Sequence, residues 1–332
     1  MPATALLHLV SVGLVKPQAA ADRMCDHHKY LCRAPGFVAG AAKTVWSNST
    51  SVLMDRPCRT FQGARLCGIE WEQWLMADAF VHPSDVVIEY GARYGTTMCQ
   101  LAAATNNSGF VVSVEPDQRA HRALLRNREA NACNTHIMLG SVNDRPIAMT
   151  TRRNTDYDAM SSEAKPEGPP PVPNMPYTDV ERRIGARFNA AVIDCEGCIA
   201  MVLSQQGLLA QLDLLMIEED MPWTVSYTLW HAKLRAAGFE IRWRLRDTMF
   251  RYNPNHATWS AQTYYSVWIR KGSSRPRGPS CEEYARGHPW LYPFHEHARL
   301  NSREEVSKKF RGKSGIDCVA PRTGLEPSHK RP

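Results

Sequence analysis

Three short runs hold the residues best suited to chemistry. Glu89-Tyr90-Gly91-Ala92-Arg93-Tyr94-Gly95 places an acid ahead of two glycines. Glu115 ends an apolar run, and Asp194-Cys195-Glu196-Gly197-Cys198 gathers two acids, a glycine and two thiols. A glycine such as Gly91 lets the backbone turn sharply and approach a ligand with no Cβ in the way. Gly95, at the start of a helix, would offer the first amides of that helix to an electronegative group. An acid at a strand end, as Glu115 is expected to be, accepts hydrogen bonds from both hydroxyls of a ribose. Acid, glycines and second acid in that order describe a site for a nucleoside-containing cofactor. The loop holds two glycines where a pyrophosphate cradle uses three, so S-adenosylmethionine, which carries no phosphate, fits better than a dinucleotide. Asp194 and Glu196 on one tight turn could bind an acceptor hydroxyl or take its proton. They could equally cap the following helix and bond the amides of the turn.

Two other groups have sharper and blander readings. Glu218-Glu219-Asp220, with Asp194, offers oxygen ligands of the kind magnesium prefers. No histidine or further acid stands where it would demand a metal, and none is expected. Glu218 remains a possible catalytic acid. Cys195 and Cys198 have the spacing of redox or zinc pairs, but no second pair lies near, which favours buried structural thiols. The aromatics Trp223, Tyr227, Trp230, Trp243, Trp259, Tyr264, Tyr265 and Trp268 would wall a ring-shaped acceptor or fill a core.

Such residues need elements that deliver them to one place. Val86-Val87-Ile88-Glu89 and Phe110-Val111-Val112-Ser113-Val114 are continuous apolar runs, as in strands buried on both faces of a parallel sheet. Further strands are expected over 135–139, 190–194 and 212–217. Helices are expected over 70–80, with one apolar face, and over 96–104, 117–130, 178–186, 199–205 and 228–237. Asp117 is placed to cap the third of these. Segments 239–245 and 264–270 read as a closing antiparallel hairpin, turning at Asn253-Pro254-Asn255. Residues 151–176, with Pro169-Pro170-Pro171, read as a surface insertion without a packed core. Strand and helix alternation specifies an α/β doubly wound sheet, in which ligands bind beyond the carboxyl ends of the strands, where strand order reverses.

Val87-Ile88-Glu89-Tyr90-Gly91-Ala92-Arg93-Tyr94-Gly95 resembles the first motif of class I methyltransferases, and Val112-Ser113-Val114-Glu115-Pro116 their second-strand motif. Val192-Ile193-Asp194-Cys195-Glu196-Gly197, then Val202-Leu203 and Leu215-Met216-Ile217-Glu218, resemble the fourth- and fifth-strand signatures of the FkbM-type family. The resemblance covers about 71–270. It departs at Cys198-Ile199, where family members often carry a small residue and then an acid. It implies a Rossmann-like, mostly parallel seven-stranded sheet with helices on both faces, S-adenosylmethionine as cofactor, and O-methylation. It carries over Glu89, Gly91, Gly95, Glu115, Asp194, Glu196 and Gly197, and Tyr94 belongs to the same loop. Ser141, after the third strand, is expected near the adenine.

The 332 residues are 43% hydrophobic, enough for one large domain with a core, and a mean hydropathy of −0.40 excludes a polytopic membrane protein. The net charge of +7 gathers in a basic, largely irregular tail over 271–332, for which a solvated surface is favoured over an anionic partner. No nucleic-acid-reading module accompanies it, so the expected partner is a small-molecule or glycan acceptor. Residues 1–21 carry an apolar run too short to span a bilayer, which suits a signal peptide or a plain helix. Residues 22–68 form an irregular extension holding Cys25, Cys32, Cys58, Cys67 and His27-His28. Ten cysteines and the sequons at Asn48 and Asn106 suit the secretory pathway, while reduced thiols would suit the cytoplasm. The competing functions are a methyltransferase-like binding module without catalysis and a nicotinamide-dependent oxidoreductase. The missing third glycine counts against the latter.

Overall fold

A computed structural model of the chain describes residues 36–39, 71–151, 159–220, 224–247, 263–288, 316 and 318–319. All belong to the unit Gly36–Pro332. The apolar N-terminal run, Cys25, Cys32, Cys58, Cys67, His27-His28, the Asn48 sequon, Trp223, Trp259, the Asn253-Pro254-Asn255 turn and most of the basic tail lie outside the described residues.

In chain order the elements are β1 (Phe37–Val38), α1 (Trp71–Phe80), β2 (Val87–Tyr90), α2 (Thr96–Ala104), β3 (Val111–Glu115), α3 (Gln118–Ala130), β4 (His136–Leu139), β5 (Ser141–Val142), β6 (Ile147–Thr151) and β7 (Ala159–Glu163). They continue with β8 (Asn174–Met175), α4 (Tyr177–Ile184), β9 (Ala190–Ile193), α5 (Ile199–Ser204), α6 (Gln206–Gln211), β10 (Leu214–Glu219), α7 (Tyr227–Ala236), β11 (Phe239–Arg246), β12 (Tyr264–Arg270) and α8 (Cys281–Gly287).

Every residue of β2, β3 and β9 is buried, which is why these strands read as unbroken apolar runs. Across the main sheet the order is β1-β4-β3-β2-β9-β10-β12-β11. Strands β4, β3, β2, β9 and β10 are parallel, and β12 runs antiparallel between β10 and β11. This is the Rossmann-like sheet that the resemblance implied, with the closing antiparallel hairpin read from segments 239–245 and 264–270. The chain builds outward from β2 through β3 to β4, then returns to build outward from β9 through β10. With right-handed crossovers, the two directions put α2 and α3 on one face and α5 to α7 on the other. Strand order reverses between β2 and β9.

Local signals set the helix ends. Asp117 caps α3, its carboxylate accepting from the Arg119 amide at 3.0 Å. Gly185 and Gly238 follow α4 and α7 with φ of 69° and 89°, the left-handed region that glycine adopts without strain.

Several expectations are corrected. The sheet has eight strands, because Phe37–Val38 pairs antiparallel with β4, and Phe37 stacks on His136. Helix α1 is buried nearly all round rather than on one face. Its neighbours are the sheet and α2, and it shares a core cluster with Cys281 and Tyr284 of the supposedly irregular tail. That tail forms α8, closed by a capping box between Ser280 and Glu283. The Tyr284 hydroxyl donates to Asp78 of α1 at 2.6 Å, and Cys281 is disulfide-bonded to Cys318. Arg275, expected in a solvated basic tail, is buried against Asp85. The Pro-rich stretch is not coreless. Strands β6 and β7 form a hairpin, β8 pairs with β5, and Ile147, Ala159 and Met175 are buried. Trp243, Tyr265 and Trp268 are core residues, at 2% exposure or less. No described helix is long and apolar enough to cross a membrane.

Candidate active site

The site grows from the register of β2 and β9. Ile193 lies beside Tyr90, so both strands release their loops at the same level, and the Asp194 amide donates to the Tyr90 carbonyl at 2.9 Å. Gly91, at φ +95°, sits so close to this turn that a Cβ would lie 1.5 Å from the Asp194 carbonyl oxygen. Only glycine serves there. The Gly91 and Ala92 amides donate to Val114 at 2.9 and 3.0 Å, which folds the loop back over β3.

Glu115, at the end of β3, accepts from the Arg93 amide at 2.6 Å and the Asp117 amide at 2.7 Å. These bonds fix its carboxylate while each oxygen keeps acceptor capacity. Burial nevertheless pushes its carboxyl up to about 7. The Arg93 guanidinium donates to Asp117 at 2.6 Å. Burial opposes ionisation of Asp117, but the Arg119 and Arg93 bonds outweigh it and hold the carboxyl at about 2. Glu89 lies beneath the loop at 1% exposure. Burial pushes its carboxyl up to about 8, the Ser113 hydroxyl pulls the other way, and the Asp194 and Glu115 charges add to the rise.

Asp194, Glu196 and Glu115 line one lobe of a cleft of about 520 Å³, with Gly91, Arg93 and, from the β6–β7 hairpin, Met149, Ala159 and Ser161. The adjoining lobe, about 350 Å³, is more apolar, with Val114, Val142, Ile147, Met201 and Val202 beside Ser141. Gly91, Pro116, Ser161 and Cys195 belong to both. Ser141 is oriented by its hydroxyl bond to Asn174 at 2.5 Å. Tyr94 and Gly95 do not line the cleft. Both are loop supports: the Tyr94 carbonyl accepts from Asn127 at 2.9 Å, and Gly95 packs on Met98 and Leu124.

The acids after β9 have partners that composition did not reveal. Gln73 of α1, 2% exposed, donates to Asp194 Oδ2 at 2.5 Å. A glutamine inside so apolar a helix was the available signal. Glu196 has φ 51°, and Asp220 lies within hydrogen-bonding reach of it. The Tyr227 hydroxyl donates to Asp220 Oδ1 at 3.1 Å. Burial pushes Asp220 up to about 6, Glu196 lowers it, and the Asp194 charge raises it. The run 218–220 therefore disperses. Glu218, held as a possible catalytic acid, turns to the Tyr265 hydroxyl at 2.8 Å and does not line the cleft. Glu219 is buried between His231 and Arg244, both at 2.9 Å. Burial opposes its ionisation, but these partners overcome that and hold it at about 2. Among the described residues no group of three or more His, Cys, Asp or Glu could hold a metal ion. Cys195 and Cys198, expected as thiols, are disulfide-bonded across the turn.

No family model and no curated protein matches the chain. Solved structures overlap with it at low similarity. The fibrillarin pre-rRNA processing protein of Methanococcus jannaschii is 18% identical at a TM-score of 0.39, covering 62% of this chain and 76% of that one. An rRNA methylase from Streptococcus thermophilus is 12% identical at 0.38, covering 61% and 96%. An O-methyltransferase from Bacillus cereus in complex with SAH is 9% identical at 0.35, covering 79% and 94%. The fold assignment rests on the strand order and register above, not on these overlaps.

Proposed function

We propose that the chain is an S-adenosylmethionine-dependent methyltransferase of the FkbM type, acting on a hydroxyl of a small molecule or glycan. The observation that carries this reading is the convergence of Gly91, Glu115, Asp194 and Glu196 on one cleft at the point of strand reversal. The donor set suits the cofactor. Glu115 would accept from the ribose hydroxyls, and the apolar lobe would take the adenine. A pyrophosphate suits the cleft poorly, because three carboxylates line it and Arg93 is paired with Asp117. That argues against a nicotinamide dinucleotide.

Bound S-adenosylmethionine supplies an activated methyl group. The chain's own task is to hold an acceptor oxygen in line and remove its proton, contributions of positioning and general-base catalysis. Gln73 holds one oxygen of Asp194, which aims the other. Glu196, beside Asp220, forms a second acceptor for the proton. The β6–β7 hairpin adds Met149, Ala159 and Ser161 to the wall of the cleft.

Calorimetric titration of the full chain with S-adenosylhomocysteine, and separately with NAD, tests the cofactor. Binding of the sulfur nucleoside alone is expected. A folded sample that binds neither would indicate a methyltransferase-like scaffold without catalysis, and NAD binding would indicate an oxidoreductase. With an acceptor in hand, Asp194→Asn and Glu196→Gln together should lower methyl transfer about 10²- to 10⁴-fold and leave cofactor affinity within a few-fold. Full turnover by the double variant would remove both acids from the mechanism.

A further inference from the structure

We propose that Asn106 is an N-glycosylation site, filled from a lipid-pyrophosphate-linked oligosaccharide in an oxidising secretory compartment. Asn106-Asn107-Ser108 has the acceptor pattern, with a non-proline middle residue. The fold displays it on a tight reversal between α2 and β3. Asn106 and Asn107 both take left-handed backbone, with φ of 52° and 53°, and Ser108 returns its amide to the Thr105 carbonyl at 3.1 Å.

The turn treats its two asparagines differently. Asn107 is fastened inward: its amide nitrogen donates to the Ala132 carbonyl at 3.1 Å, and its side-chain oxygen accepts from the Asn134 amide at 2.6 Å. Asn106 is exposed, and its side-chain amide meets no partner among the described residues. Ser108 is exposed too. Its oxygen accepts from Phe110 at 3.3 Å, and its hydroxyl proton stays available. The acceptor asparagine and the hydroxyl that completes the pattern thus face solvent on a turn held rigid from beneath.

Two further observations agree. Cys99 and Cys133, which staple α2 to the segment carrying Ala132 and Asn134, form a disulfide, as do Cys195–Cys198 and Cys281–Cys318. No described cysteine is free. Structural disulfides form in oxidising compartments, and the secretory lumen where such glycans are added is one of them. The topology also permits the modification. Helix α2 starts at the cleft and runs back for nine residues, about 14 Å, so Asn106 lies at the edge of the sheet opposite the cleft. In the reaction the Asn106 side-chain nitrogen bonds to the anomeric carbon of the donor and loses one proton. The bond from that carbon to the pyrophosphate breaks, and the lipid pyrophosphate leaves. No redox change occurs.

The test is secretion of the full chain, behind a cleavable signal peptide, from cultured eukaryotic cells. Amidase removal of N-glycans in heavy-oxygen water marks each occupied asparagine as labelled aspartate, located by peptide mass mapping. Label at residue 106 is expected. It should vanish in Asn106→Gln and in Ser108→Ala, both still secreted because Asn107 fastens the turn from beneath. Asn48→Gln should leave it unchanged. A secreted, disulfide-bonded chain whose Asn106 is unmodified, or whose label lies at Asn48 alone, would overturn the proposal.

Discussion

If Glu115 grips a ribose, cofactor affinity must depend on pH in a calculable way. Raising its carboxyl from the ordinary 4.5 to about 7 means that the folded domain disfavours the ionised form by about 3 kcal/mol, at 1.36 kcal/mol per decade. The sign follows from the raised value. The folded state binds this proton more tightly than the unfolded chain, so the associated stability is full below pH 4.5 and fades as pH climbs through about 7. Two ribose hydroxyls donating to the carboxylate reverse that preference. Binding then draws on the ionised form, and affinity should rise about 25-fold between pH 5.5 and 7.5, below the titration of the cofactor's own amino group. Binding should release about one proton at pH 5.5 and about a quarter of one at pH 7.5. Glu89, at about 8, stays mostly protonated over that interval.

The assay is calorimetric titration with S-adenosylhomocysteine at both pH values, in two buffers of different ionisation enthalpy. Glu115→Gln is the control. Both carboxylate oxygens already accept backbone amides, at 2.6 and 2.7 Å, so a carboxamide must turn its NH₂ against one of those donors. The variant should lose about 1–3 kcal/mol of stability through the unsatisfied group, and its residual binding should be independent of pH. Equal affinity at both pH values for the parent chain, with no proton released, would refute the ribose assignment.

Other consequences follow from the packing. Gly91→Ala drives a Cβ into the Asp194 carbonyl at positive φ, and should cost more than about 3 kcal/mol, seen as a thermal midpoint lowered by about 6 °C or more and as lost binding of S-adenosylhomocysteine. Asp85→Ala strands the buried Arg275 guanidinium, which otherwise donates to Asp85 and to the Phe80 carbonyl. A loss of about 3–5 kcal/mol is expected, or about 6–20 °C in thermal unfolding. Cys281→Ala opens a loop with a sequence separation of 37 and should cost up to about 4 kcal/mol on the chain-entropy account. Denaturant unfolding of the variant beside the parent checks this.

How much of this was legible depended on how local each signal was. β2, β3 and β9 stood out because burial on both faces forces continuous apolar runs, and Asp117 announced its helix by capping it. The β6–β7 hairpin did not, because its strands Ile147–Thr151 and Ala159–Glu163 are short and of mixed polarity, and the prolines nearby suggested a coil. The tail helix was obscured by its basic surroundings, and no sequence rule pairs Cys281 with Cys318. Within the site, Gly91, Glu115 and Asp194 were readable from motif order. The fate of Glu218, Glu219 and Asp220 was not. Successive strand residues face opposite ways, so three adjacent acids reached three environments: the Tyr265 hydroxyl, the His231–Arg244 pair and the turn of Glu196.

That dispersal bears on ligand choice. Glu219 is paired with Arg244, bonded to His231 and absent from the cleft lining, whereas Asp194, Glu196 and Glu115 face the cleft directly. The one arginine among the lining residues, Arg93, is bound to Asp117. An anionic group about 6 Å from a single ionised carboxylate would meet a repulsion of about 3 kcal/mol at an effective dielectric near 20, and a pyrophosphate would meet more than one such carboxylate. A sulfonium with an adjacent ammonium meets the same field as attraction. On the proposed function the cleft therefore discriminates by charge before any contact to a base or ribose is made, and it does so with the acids assigned there to the acceptor's proton.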